Sequence, residues 1–106
     1  MIIPKKIKIG PHTYKISYEK DLDRSHGVLG QSRHTMCQIV LEPGQNYTQL
    51  EDTLIHEILH CINAQVKFVE DEKNVEEDAI TRLAPALLQV IKDNPGLFGG
   101  EKHVKA

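Results

Sequence analysis

The feature that most constrains this chain is the segment His56-Glu57-Ile58-Leu59-His60, which has the pattern H-E-x-x-H. On an α-helix, residues four positions apart lie one turn above each other, so the imidazoles of His56 and His60 face the same point in space. Glu57 lies about 100° further round the helix, so its carboxylate flanks that point and can accept a proton there. The motif therefore predicts a helix that supplies two zinc ligands and a general base.

The residues around the motif favour a helix with one buried side. The apolar residues of this segment fall on one arc, which comprises Leu54, Ile55, Ile58, Leu59, Ile62 and Val66. The two histidines share the opposite, polar side. Histidines on a polar side can also be simply solvated, and short motifs carry false positives, so the prediction needs a third ligand.

Size and charge limit the remaining possibilities. A chain of 106 residues is large enough for one core, so we expect a single domain over residues 1–96 and a frayed tail over residues 97–106. The formal net charge is −2, with 13 basic and 15 acidic residues spread along the chain, which predicts no nucleic-acid partner. The chain has no apolar run of membrane-spanning length and no signal-like start, so we expect a cytoplasmic protein without a membrane partner. Cys37 and Cys61 are too few for a disulfide framework and are expected to be small core residues.

The order of predicted elements is strands first and helices second. Alternation of apolar and polar residues predicts a β-hairpin from residues 2–9 and 13–18, followed by strands at residues 27–32 and 36–41, with a polar loop at 21–27. This order predicts an α+β domain with a small antiparallel or mixed sheet of three to four strands, followed by two helices.

Both predicted helices have recognisable ends. Thr48 and Glu51 fit a capping box, so the first helix should start near Gln49 and end near residue 66. The second helix should cover residues 72–92. Pro85 lies inside it, and we expect a kink or a break near residues 81–85.

A catalytic zinc site usually has three protein ligands, so a third must come from elsewhere. The downstream carboxylates are Glu70, Asp71, Glu72, Glu76, Glu77 and Asp78. At 100° per residue, Glu76 lies in the middle of the apolar stripe of the second helix, whereas Glu77 points about 100° away. Because a carboxylate on an inward-facing stripe is costly unless it is paired or binds a metal, this pattern favours Glu76 and leaves Glu77 as the alternative.

With these residues in place, the chain resembles the glutamate-zincin type of metallopeptidase. The His56–His60 motif is followed on a second helix by Glu76 and then by the pairs 83–84 and 87–88, and a strand ending in Pro43-Gly44 leads into the first helix. More narrowly, residues 5–95 are similar to small phage and prophage proteins of the ImmA/IrrE metallo-endopeptidase type, and more distantly to SprT-like domains. The resemblance implies zinc held by His56, His60 and Glu76, with Glu57 as the general base in peptide-bond hydrolysis. It also implies a protein or peptide substrate, such as a host or phage regulator.

The chain departs from that pattern in places where supporting residues are expected. Cys61 and Ile62 follow the second histidine where many such peptidases have glycine, and Ile80 stands four residues after Glu76 where many have an acidic residue. The partners of the two histidines are therefore unassigned. The local polar candidates are Thr53, Asn63 and Thr81.

Two features of catalysis also remain open in the sequence. An oxyanion donor could come from His26, His34, Tyr47 or Arg82. An extended substrate could pair with an edge strand, for which residues 27–32 and 36–41 are the candidates.

Two further interpretations belong to other classes. A deformylase-like hydrolase also uses H-E-x-x-H, but with an upstream cysteine as ligand, and Cys37 is upstream. Alternatively, the metal site could be a structural element of a binding protein that recognises a regulator without cleaving it.

Overall fold

A four-stranded sheet precedes two long helices in the computed structural model, which describes residues 2–22, 27–70 and 72–97. The elements, in chain order, are β1 Lys6–Ile9, β2 His12–Tyr18, β3 Gly30–Arg33, β4 Gln38–Leu41, α1 Tyr47–Val66 and α2 Lys73–Asp93. The predicted α+β class is confirmed. The predicted loop at 21–27 and the predicted tail at 97–106 lie largely outside the described residues.

The sheet is mixed, with the strands in the order β1-β2-β4-β3. β1 and β2 form the predicted antiparallel hairpin, β2 and β4 run parallel, and β3 and β4 run antiparallel. β4 therefore lies between β2 and β3, and the prediction that residues 36–41 offer a free edge is wrong. β3 is one of the two outer strands, with β1 at the other edge, so residues 30–33 supply a free edge.

The chain enters β4 through a short 3-10 turn, His34–Met36. Cys37 ends that turn in the left-handed region at φ 51°, which is uncommon for a side chain with a Cβ atom. Because of this turn, β4 starts at Gln38, two residues later than the sequence predicted.

Helix α1 begins earlier than predicted, and a different residue caps it. The side chain of Asn46 accepts a hydrogen bond from the backbone N–H of Gln49 at 2.9 Å, which makes Asn46 the N-cap. The prediction of a capping box formed by Thr48 and Glu51 is wrong. The Thr48 hydroxyl donates a hydrogen bond to the Asn46 side chain, and the Glu51 side chain is fully buried. Asn46 is the cap because an N-cap residue lies directly before the first helical residue, which is Tyr47 here.

Helix α2 continues without a break through Pro85 to Asp93. The predicted break is therefore wrong. Pro85 lies on the exposed side of the helix, as does Thr81, whose carbonyl loses its usual partner. Water can satisfy a carbonyl in that position, so the helix tolerates the missing donor.

Helix α1 separates two apolar clusters and so occupies the centre of the molecule. On the sheet side, Leu54 and Cys61 pack against strand residues that include Tyr14 and Ile39. On the other side, Ile55 and Leu59 pack against α2. Both cysteines are free thiols; Cys61 is fully buried and Cys37 is half-buried against the sheet-side cluster. Neither described helix has the length and apolar composition needed to cross a membrane.

Candidate metal centre

Three side chains converge where α1 and α2 meet, and the convergence is tight. The Nε2 atoms of His56 and His60 lie 3.2 Å apart. One carboxylate oxygen of Glu77 lies 3.0 Å from Nε2 of His56, and the other lies 2.9 Å from Nε2 of His60. Within the described residues, these three form the group whose ligand atoms could hold one metal ion.

The spacing of these atoms fits a tetrahedral zinc site. Two nitrogen ligands at about 2.05 Å from a tetrahedral ion lie about 3.3 Å apart, close to the spacing of the two imidazoles. The donor set of two imidazoles and one carboxylate is one that catalytic zinc uses, and it leaves the fourth position open. The residues present therefore fit the ion that the sequence motif predicts.

The protonation of His60 also favours a cation at this point. Its Nδ1 lies 2.6 Å from Oε2 of Glu76, and because a carboxylate can only accept, the Nδ1–H donates. In the neutral ring, Nε2 then carries a lone pair that faces the Glu77 carboxylate and the second imidazole. Acceptors that face each other in this way need a cation or an additional proton between them.

Without an ion, the surroundings of His60 favour a proton at that place. Burial of the His60 ring opposes protonation, but the hydrogen bond to Glu76 and the charges of Glu57 and Glu77 outweigh it and raise the pKa of His60. Partial burial likewise opposes the charge on Glu77, but the neighbouring His56 and His60 prevail and lower its pKa. The site therefore has a net preference for positive charge at its centre.

The two glutamates have different positions from those that the sequence pattern favours. Glu76, with a side chain 14% exposed, contacts the far nitrogen of His60, whereas Glu77, with a side chain 54% exposed, reaches both Nε2 atoms. The apolar stripe of α2 is centred on Glu76 only when Leu83 and Val90 are included, and these two residues are 42% and 48% exposed.

The buried face of α2 consists of Ile80, Ala84 and Leu88, whose mean direction lies about 80° round the helix from Glu76. Glu77 therefore lies about 20° from the middle of the face that packs on α1, whereas Glu76 lies about 80° to one side of it. Thr81 donates a hydrogen bond to Glu77 at 3.2 Å, so this predicted polar candidate contacts the carboxylate rather than a histidine. In zinc sites, a carboxylate that accepts from the distal nitrogen of a histidine orients that ring, as Glu76 does here.

Glu57 lies beside the convergent atoms and is held from the sheet. The residue is 7% exposed, and the hydroxyl of Ser32 on β3 donates to Oε1 of Glu57 at 2.6 Å. Burial raises the pKa of Glu57, and the hydrogen bond from Ser32 partly opposes the shift. The sequence gives no signal for Ser32, because its contact with Glu57 depends on how β3 packs against α1.

Glycine at position 30 lets β3 approach α1 this closely. A Cβ atom there would lie 2.6 Å from Cγ2 of Thr53 and 3.1 Å from Cγ of Glu57. Both distances are too short for ordinary packing, so a larger residue would push the strand away from the site. The absence of a side chain at residue 30 therefore places the outer strand beside the general-base candidate.

A cleft of about 650 Å³ runs between β3 and the start of α2, with the convergent atoms in its wall. Its lining also includes Val28, Leu29, His34, Lys73 and Asn74. Of the four oxyanion candidates, His34 lines this cleft, while Tyr47 and Arg82 do not, and His26 lies outside the described residues.

The remaining predicted residues have structural contacts. Asn63 is buried and accepts a hydrogen bond from the backbone N–H of Val69, which stabilises the end of α1. Thr53 donates to Gln45 and to the carbonyl of Gln49. Cys37 packs against the sheet-side core and lies outside the group of potential ligands found among the described residues.

Comparisons with protein-family models, with curated proteins and with solved structures found no significant match to this chain.

Proposed function

We propose that this chain is a zinc-dependent metallopeptidase in which His56, His60 and Glu77 hold the ion. The observation that carries the proposal is the convergence of two imidazole nitrogens and a carboxylate, 2.9 to 3.2 Å apart, with a buried glutamate beside them. Glu77 replaces Glu76 as the proposed third ligand. Glu76 instead fixes the ring of His60 through its hydrogen bond to Nδ1.

The reaction then divides between the ion and the protein. When bound, zinc would polarise the scissile carbonyl and lower the pKa of a water molecule in the open position. Glu57 accepts the proton of the attacking water and returns it to the leaving amine. The hydrogen bond from Ser32 holds one oxygen of Glu57, so the other remains available for the proton. His34, in the wall of the cleft, is the favoured oxyanion donor of the four candidates.

An extended peptide is the substrate that this cleft suits best. β3 is an outer strand, so the free backbone groups on its open side can pair with a peptide by strand addition. Val28 and Leu29, both partly exposed, offer an apolar surface at one end of the cleft. The proposed substrate is therefore a flexible protein segment, such as a loop of a regulator. The proposed location is the cytoplasm, in which the two thiols would stay reduced.

Two observations weigh against the other classes. A structural zinc site is closed by four protein ligands, whereas three ligands from the described residues meet here, which favours an open, catalytic site. A deformylase-like site needs a cysteine ligand, and Cys37 packs into the core on the sheet side of α1.

The test is zinc binding and peptide hydrolysis by wild type and Glu57→Gln, with Glu70→Gln as a control at an exposed glutamate. We expect one zinc per chain in all three proteins. Removing the general base should lower the rate of hydrolysis at least about 100-fold, and the control should match wild type.

The substrate in this test is a mixture of unstructured peptides, with and without an N-terminal formyl group. Equal hydrolysis by wild type and Glu57→Gln would contradict the proposed role of Glu57. Release of formate without internal cleavage would favour the deformylase class, and zinc binding without any hydrolysis would favour a binding protein.

A further inference from the structure

The side of the sheet that faces away from the helices has a composition unlike the rest of the molecule. Alternate residues of the four strands point to this side, and we call it the outer sheet face. It consists of Lys6, Lys8, Thr13, Lys15, Ser17, Gln31, Arg33, Gln38 and Val40. Four of these nine residues are cationic and none is acidic.

The cations of the outer sheet face lie close together. Lys6 and Lys15 are direct cross-strand partners, and Lys8 follows two residues after Lys6 on the same side of β1. Directly opposed residues of an antiparallel pair have Cβ atoms about 5 Å apart, and like charges at that distance destabilise the pair. The three ammonium groups therefore form one compact positive patch.

Among residues 2–22, 27–70 and 72–97, no carboxylate forms an ion pair with the lysines of that patch. Glu19, which follows β2, is 3.1 Å from Arg33 and so compensates that cation. All three lysines are exposed, whereas Val40 at the other side of the face is only 1% exposed. The open and uncompensated part of the face is thus on β1 and β2.

We propose that the outer sheet face binds the phosphate backbone of nucleic acid through Lys6, Lys8 and Lys15. Adjacent cations on one strand are about 6.6 Å apart, so they can contact successive phosphates of a chain. Thr13 lies opposite Lys8 and two residues before Lys15, and Ser17 lies two residues after Lys15, so both hydroxyls border the lysines and can donate to phosphate oxygens. This activity is independent of the metal centre.

The composition of the face favours nucleic acid over a lipid surface. Membrane-surface binding combines cations with apolar side chains that enter the acyl region, and the exposed part of this face has no large apolar residue. The face has no aromatic residue either, so bases have no stacking platform and binding is independent of sequence. The sequence-based exclusion of nucleic acid rested on the net charge of −2, which averages this patch with the acidic residues elsewhere.

The experiment titrates a short labelled DNA duplex into the full chain at 50 mM and 200 mM salt. The first readout is the binding constant K of the duplex, and the second is the shift of the backbone amide NMR signals. Three phosphate contacts predict a slope of about −2.7 in log K against log salt, or about 40-fold weaker binding at the higher salt. Amide shifts should concentrate in β1 and β2.

The triple variant that combines Lys6→Gln, Lys8→Gln and Lys15→Gln should lose most of this binding. The matched control, Lys20→Gln, Lys73→Gln, Arg82→Gln, removes the same total charge from exposed positions outside the face and should retain it. Equal loss in both triple variants, amide shifts centred on α2, or absence of binding at 50 mM salt would each overturn the proposal. Tighter binding to anionic lipid vesicles than to the duplex would overturn nucleic acid as the partner.

Discussion

The two sides of the β-sheet differ in chemistry. The side that packs on α1 is apolar and ends at β3, where Ser32 contacts Glu57 and the carboxylates of α2 meet the two histidines. The opposite side carries uncompensated lysines on β1 and β2. The two proposed sites would therefore bind charges of opposite sign: a cation where His56, His60 and Glu77 meet and an anion on the outer sheet face.

This difference shows what net charge conceals. The net charge of −2 describes neither surface. Because strand residues alternate between the two sides of the sheet, the lysines of β1 and β2 lie on one side, whereas the acidic residues of the candidate metal centre lie on the helices. Charge segregation of this kind becomes visible only when strand register and helix packing are known.

The largest effect on stability should come from the interface that holds α2 against α1. Ile80 is fully buried in that interface, so Ile80→Ala should leave a cavity and lower the free energy of unfolding by about 2 to 5 kcal/mol. The matched control is Leu83→Ala, at a residue three positions later that is 42% exposed. This substitution should lower the free energy of unfolding by about 0.5 kcal/mol. Urea denaturation measures both.

The outcome tests the orientation of α2 as well as its packing. If Leu83→Ala were the more costly substitution, the helix would face α1 with its Glu76 side, and Glu77 would no longer be directed at the histidines. Equal costs would also contradict the observed packing.

The next effect concerns the far end of the same helix pair and depends on pH. Lys92 on α2 donates a hydrogen bond at 2.8 Å to the fully buried carboxylate of Glu51 on α1, and this bond holds the pKa of Glu51 below its ordinary value of 4.5. Lys92→Met should therefore lower the free energy of unfolding by about 1.5 to 3 kcal/mol at neutral pH.

The sign of the pH dependence follows from the lowered pKa. The contribution of the ionised pair is fully present above pH 4.5 and is lost as the pH falls through the lower folded-state pKa of Glu51. The difference between wild type and Lys92→Met should accordingly shrink on acidification. Unfolding curves at several pH values check it, and a difference that stays constant below pH 4.5 would contradict the assignment to Glu51.

The smallest effect belongs to the outer sheet face. Replacing Lys6 with Gln removes one of two like charges that oppose each other, so the free energy of unfolding should rise by about 0.2 to 1 kcal/mol at low salt. The gain should diminish as salt screens the repulsion. Thermal unfolding of Lys6→Gln, Lys15→Gln and the double variant measures the coupling, and additive effects of the two substitutions would show that the lysines do not interact.

Local patterns predicted much of this architecture from the sequence. Alternation predicted the hairpin, the four strands and the α+β class, and helical spacing alone brought His56 and His60 together, because four residues make about one turn. The capping box was wrong because Asn46, two residues earlier, supplies a competing side-chain acceptor.

Features that depend on packing could not be predicted in the same way. The apolar stripe of α2 is wider than its buried face, so sequence periodicity could not distinguish whether Glu76 or Glu77 is directed at the histidines. The contact of Ser32 with Glu57 and the need for glycine at position 30 arise where β3 meets α1, which no local pattern encodes.

The most direct test of the metal centre is the zinc content of wild type, Glu77→Ala and Glu76→Ala after metal removal and reconstitution with one equivalent of zinc. We expect one zinc per chain in wild type and none retained by Glu77→Ala. Glu76→Ala should still bind zinc, with affinity reduced about 10- to 100-fold because His60 loses its orienting partner. Full retention of zinc by Glu77→Ala together with its loss from Glu76→Ala would contradict the proposal that Glu77 is the third ligand.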